Sequence, residues 1–124
     1  METKEKTAFI KSILEDKKGI DVEVLNLTEI SSITDSFVIA SGTSVPHIKA
    51  LCDYVEEGMS EKGIDPLRVE GYNSAKWILL DYGDIVVHVF SNEAREFYNL
   101  DKMWSDGETI DLKPYLTSDL EESL

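Results

Sequence analysis

Trp77-Ile78-Leu79-Leu80-Asp81-Tyr82-Gly83-Asp84-Ile85-Val86-Val87-His88-Val89-Phe90 is the stretch whose reading decides the fold. Lys76 to Asp81 and Asp84 to Phe90 read as two strands. Tyr82-Gly83 between them is short enough for a two-residue hairpin turn, with Gly83 free to take φ > 0. That turn sets Asp81 opposite Asp84, Leu79 opposite Val86 and Trp77 opposite His88. Side chains alternate across a strand, so Ile78, Leu80, Ile85, Val87 and Val89 share one face. It is wholly aliphatic and is expected to be core. The other face carries Trp77, Leu79, Asp81, Asp84, Val86, His88 and Phe90.

Outward from the hairpin, the chain divides into α and β segments without a repeat or a linker. A first helix is predicted from about Lys4 to Lys18, with Phe9, Ile10, Ile13 and Leu14 as its apolar stripe. Gly19 is expected to supply a left-handed stop. Val22, Val24, Leu25 and Leu27 read as a strand, and Phe37-Val38-Ile39-Ala40 as a strand covered on both faces. Ser44 is a good helix N-cap, and Pro46 falls in the first turn, where its missing N–H costs nothing. The second helix buries Ile48, Leu51, Cys52, Val55 and Met59 on one side and ends at Gly63. Leu67-Arg68-Val69-Glu70 is a brief strand. Ser91 caps a short third helix holding Ala94, Phe97, Tyr98 and Leu100. The order αββαβββα predicts an α/β fold, a mixed sheet of about five strands flanked by helices. Residues 1–106 form a single domain in this reading, and 107–124 an acidic, loosely held tail.

The mixed face admits two readings: a sheet covered locally by a polar loop, or a binding surface. Directly opposed like charges weaken a hairpin by up to ~1 kcal/mol, and burying both without a counter-charge costs far more. Asp81 and Asp84 are therefore expected to be exposed or paired with cations. An indole with an acidic rim suits the anatomy of a protein interface. The interface reading centres on Trp77, Leu79, Asp81, Asp84, Val86 and His88, with Glu70 and Tyr98 at its edges.

Composition narrows the partners. In 124 residues, 25 acidic side chains against 12 basic ones give a net charge of −13. Nucleic-acid binding draws its affinity from Lys and Arg at phosphates, so direct DNA binding is not expected. An anionic membrane would likewise repel the chain, whereas a basic protein would attract it. Cys52 is the sole cysteine, which rules out an intramolecular disulfide, and its apolar helical position predicts a buried thiol. The N-terminal stretch has no long apolar run, which argues against a signal peptide or membrane span. A cytoplasmic location follows as an expectation.

The best enzymatic alternative is a nucleotidyltransferase-fold enzyme acting on nucleotides. Gly42-Thr43-Ser44 at a helix start could hold phosphate. The chemistry also needs carboxylates that bind two metal ions, and only Glu70, then Asp81 and Asp84 astride a turn, are offered. His47 and His88 lie in different elements without metal-ligand spacing, and no Gly-x-Ser-x-Gly elbow occurs. No catalytic group, metal or cofactor is predicted. His47 reads as a helix-start hydrogen-bonding group and His88 as a cross-strand neighbour of Trp77.

Several of these residues together resemble a known family. Ser31-Ser32-Ile33-Thr34-Asp35 and Ser41-Gly42-Thr43-Ser44 with His47 are similar to the first half of the ribosomal silencing factors (RsfS, or Iojap, family). Glu70-Gly71, Asn73-Ser74-Ala75, Trp77, Asp81, Gly83-Asp84 and Val87-His88-Val89 resemble the second half, and Arg95, Tyr98, Leu100 and Trp104 continue the likeness. It spans roughly Thr7 to Asp106. The resemblance implies a translation repressor that binds the large ribosomal subunit through its protein number fourteen and sterically blocks the small subunit. It also implies a nucleotidyltransferase-like fold and a homodimer when free. Pro46 and Tyr72 depart from the family pattern, where Arg and a polar or acidic residue are common.

Overall fold

The computed structural model describes residues 1–29 and 34–98, leaving aside the side chain of Tyr98. The expected tail at 107–124, Leu100 and Trp104, and most of the Ser31-to-Asp35 motif lie outside these residues. Among the described residues, eight elements follow in the expected order: α1 (Thr3–Asp16), β1 (Ile20–Asn26), β2 (Ser36–Gly42), α2 (Val45–Glu61), β3 (Arg68–Glu70), β4 (Trp77–Asp81), β5 (Ile85–Ser91) and α3 (Asn92–Tyr98). The strands form one mixed sheet in the order β1-β2-β5-β4-β3. Only β2 and β5 run parallel, and the remaining neighbours are antiparallel.

Helices α1 and α2 lie together on one face. Their buried Ile10, Leu14, Ile48, Leu51, Cys52, Val55 and Met59 meet Ile78, Leu80, Ile85, Val87 and Val89, the aliphatic face of the hairpin. Gly58 permits the close approach of the two helices, since a Cβ there would lie 2.6 Å from Ile13 Cδ1. The opposite face carries a second cluster of Leu25, Leu27, Phe37, Ile39, Trp77, Leu79, Val86 and Phe90, with Ala94 of α3 packed against it. Every residue of β2 is buried, as its continuous apolar run requires when both faces are covered.

Three local expectations are corrected. The hairpin turns at Gly83-Asp84, where the Tyr82 N–H donates to the Ile85 carbonyl at 2.8 Å. Trp77 therefore pairs with Phe90, Leu79 with His88 and Asp81 with Val86. The shift is two residues, so the residues that stay in the strands keep their faces, while Asp84 leaves the strand for the turn and bonds Thr3 and Lys6 of α1; a shift of one would have exchanged core and surface. Its cause is Tyr82, whose buried ring joins the first core cluster and thereby extends β4's alternation by one position. Gly83, at φ +89°, then occupies the first of two turn positions, where the II′ geometry calls for glycine. After α1, Lys18 and not Gly19 takes the left-handed conformation (φ +70°). Gly19 is required for closeness, because its Cβ would stand 2.8 Å from the Leu14 carbonyl oxygen.

Candidate functional site

Helix α2 starts as expected at Ser44, whose Oγ accepts from the His47 N–H at 3.2 Å. His47 closes the corner: its Nδ1 accepts from the Thr43 N–H at 3.0 Å, which leaves Nε2–H to donate to the Lys17 carbonyl at 3.0 Å. Ser91 caps α3 by accepting from the Ala94 N–H at 3.1 Å. The parallel strands β2 and β5 thus end side by side, one feeding α2 on the first face and the other α3 against the second. The carboxyl ends of strands that diverge in this way form a crevice. Here it is a cleft of about 640 Å³, lined by Gly42, Thr43, Ile48, Lys76, Trp77 and Phe97 among others. The parallel pairing that creates it is not readable from local sequence.

Trp77 is among the residues that line the cleft. The loop before it is tightly wound: Gly71 has φ +77° and Ala75 φ +56°, and the Ala75 N–H donates to the Gly71 carbonyl at 3.0 Å. A Cβ on Gly71 would lie 2.1 Å from the Trp77 carbonyl oxygen, so this corner needs glycine for conformation and for space. The indole stacks on Phe90 at 5.1 Å between centroids, and its Nε1–H donates to His88 Nδ1 at 2.9 Å. Trp77 is 8% exposed. The expectation of an openly presented indole is therefore corrected. A tryptophan whose N–H finds an acceptor inside the sheet has no need of solvent.

Leu79 and Val86 are buried beside it, and His88 completely so. Burial holds the His88 imidazole neutral, pushing its pKa down to about 3. Glu70, expected at an open edge, is buried and pairs with Arg68 at 3.2 Å. Asp81 and Asp84 are not opposed, because the turn has moved, and each has found a cation as their chemistry demands. Arg68 Nε donates to Asp81 at 3.2 Å, while Asp81 also accepts from the Gly83 N–H at 2.8 Å. Asp84 accepts from Lys6 Nζ at 2.8 Å and Thr3 Oγ1 at 2.7 Å. Burial alone would raise the Asp84 pKa, but Lys6 and Thr3 outweigh it and hold the carboxylate below its usual range. The side chain of Tyr98 lies outside the described residues.

The structure thus brings Trp77, Leu79, Val86 and His88 into one buried platform and leaves Asp81 and Asp84 at the partly exposed turn end. Sequence reasoning did not assign Arg68 or Lys6, the cations that neutralise these acids. Arg68 was findable, since Arg68 and Glu70 point to one side of β3. Among the described residues, no group of three or more His, Cys, Asp or Glu is placed to hold a metal ion. Cys52 is buried and free, and burial pushes its thiol pKa well up, the opposite of nucleophile activation. Among the described residues, no helix is long and apolar enough to cross a membrane.

These features define a small mixed α/β protein with a cleft at a sheet end, lined in part by Trp77 and Phe97, and with carboxylates at the other end of the same hairpin. Comparison with known proteins identifies the family. The family described as "Ribosomal silencing factor during starvation" matches residues 1–123, and the chain belongs to it. A ribosomal silencing factor of Halalkalibacterium halodurans is 42% identical over 100 residues, covering 81% of this chain and 86% of that one. A crystal structure of a protein from Chromobacterium violaceum superposes with a TM-score of 0.82 at 33% identity, over 90% of this chain and 91% of that one. A mouse protein named for mitochondrial assembly of the ribosomal large subunit is 33% identical over 97 residues. That match covers 76% of this chain and 42% of the mouse protein.

Proposed function

We propose that this chain represses translation by binding the large ribosomal subunit through its protein number fourteen and sterically blocking association with the small subunit. The observation that carries the reading is the match of nearly the whole chain to silencing factors. The large subunit as target is supported by the name of the mouse relative. The chain's charge of −13 suits a basic protein partner and disfavours bare rRNA. Screening confines that attraction to about 8–10 Å at physiological salt, so charge steers the encounter and a desolvated contact holds it.

The contact surface in this reading centres on Trp77 where it lines the cleft, with Asp81 and Asp84 at the far end of the hairpin and Tyr98 at an edge. Glu70, Leu79, Val86 and His88, all buried, support it from within. Occlusion requires no catalytic group, cofactor or metal, and the protein acts in the cytoplasm. A homodimer of the free protein through the same surface would compete with the ribosome and make silencing depend on concentration.

A subunit-joining assay tests this. Light scattering from mixed small and large subunits should fall when the protein is added to large subunits first. Undiminished joining at saturating protein would overturn the proposal. A Mg²⁺-dependent turnover of nucleoside triphosphates would instead support the nucleotidyltransferase alternative.

A further inference from the structure

An indole N–H can only donate. In the bond from Trp77 Nε1 to His88 Nδ1 at 2.9 Å, Nδ1 must therefore be unprotonated, and the imidazole proton sits on Nε2. His88 Nε2 is buried and has no hydrogen-bond partner among the described residues. The imidazole thus carries a cost: a buried donor left unsatisfied in an apolar layer. A phenylalanine or leucine at this position would avoid it, as its strand neighbours Val86, Val87, Val89 and Phe90 do. Against that cost, the one polar service the ring performs is to accept from Trp77.

The surroundings make this tether rigid. The edge of Phe37 meets His88 at 4.3 Å and 71°, and Phe90 lies parallel to it within 8° at 6.0 Å. His88 is 0% exposed, so nothing outside the chain can touch it. Phe90 also stacks on the indole at 5.1 Å, so an aromatic plane and the hydrogen bond to His88 both act to orient Trp77. Anchors that enter a contact already oriented lose less freedom on binding.

We propose that His88 is a positioning residue for docking: through Nδ1 it sets the orientation in which the Trp77 indole meets the partner, without touching the partner itself. The inference rests on the reading that Trp77 carries the contact. Two substitutions separate it from a packing role. His88→Asn places an amide oxygen where Nδ1 stood but underfills the site, whereas His88→Phe fills it and offers no acceptor.

Affinity for purified large ribosomal subunits should stay within about threefold of wild type for His88→Asn and fall about tenfold or more for His88→Phe. Thermal stability should not follow that order, the phenylalanine variant being at least as stable as the asparagine one. The indole ¹H–¹⁵N resonance of Trp77 should move upfield in His88→Phe and hold in His88→Asn. Equal affinities for the two variants, or affinities that track stability, would overturn the inference. Trp77→Phe provides the control. If it binds as tightly as wild type, the docking reading itself fails; if it binds weakly while the two His88 variants match, only the role of His88 does.

Discussion

Lowering the pH should destabilise the protein through one identifiable group, well above the range in which carboxylates titrate. His88 is fully buried with its pKa pushed down to about 3, against about 6.5 in an unfolded chain. A depressed histidine binds fewer protons folded than unfolded, so its neutral form contributes full stability above about pH 6.5, and that stability is lost as pH falls toward 3. Between about pH 7.5 and about pH 5.5 the unfolded imidazole gains most of a proton and the folded one gains almost none, a loss of roughly 1.4 kcal/mol. With a urea slope of about 1.5 kcal/mol per molar, the unfolding midpoint drops by roughly 0.9 M. Glu56 works in the opposite direction, since burial, then Asp53 and Asp65, raise its pKa. Asp84, held low, contributes only in more acid solution. Both are common to wild type and His88→Asn, so the comparison isolates His88. Urea titrations at the two pH values should show the drop in wild type and a smaller one, by about the same 1.4 kcal/mol, in the variant. An equal pH dependence in both would refute the reasoning.

Four further outcomes are expected. Gly71→Ala should destabilise by about 2 kcal/mol or more, because its Cβ would meet the Trp77 carbonyl at 2.1 Å at φ +77°; thermal melts check this, and a shift within error would contradict the packing described. Tyr82→Phe should be neutral or stabilising by up to ~1 kcal/mol, since the buried hydroxyl has no hydrogen-bond partner among the described residues; a clear loss in denaturant titration would show an acceptor. Lys6→Ala should cost about 1 kcal/mol near neutral pH and less below the usual carboxylate range, where protonation of Asp84 has already weakened its ion pair; an equal cost at both pH values would rule the pair out as the cause. Raising ionic strength should slow association with large subunits in stopped-flow measurements, and a salt-independent rate would remove the steering role assigned to charge.

The sheet's two faces were legible because strict alternation survives an error of two in register, and the α2 stripe from Ile48 to Met59 follows helical spacing closely enough to name its buried residues. The turn was misplaced because tyrosine is as compatible with a loop as with a strand. Only the burial of Tyr82 in the first core cluster continues the alternation of β4 one residue beyond its end at Asp81. Trp77 misled for a related reason. An indole among ionisable groups reads as a surface feature, yet His88 satisfies its N–H across the sheet, and the pattern of polar residues cannot distinguish a wet face from one that is internally satisfied. The cleft was invisible because it depends on β2 and β5 becoming parallel neighbours, a contact between residues far apart in sequence. Gly42-Thr43-Ser44 and Ser91 were recognised as turn and cap residues, but nothing local says that they face one another.

Docking through Trp77 to a basic protein of the large subunit is the step on which the proposed silencing depends. Purified large-subunit ribosomal protein number fourteen, titrated against the wild-type chain and against Trp77→Phe in the same buffer, measures this with no other ribosomal component present. Saturable binding by wild type, weakened about tenfold or more by the substitution while the fold is retained, is predicted. Absence of binding by wild type, or identical binding by both chains, would contradict it.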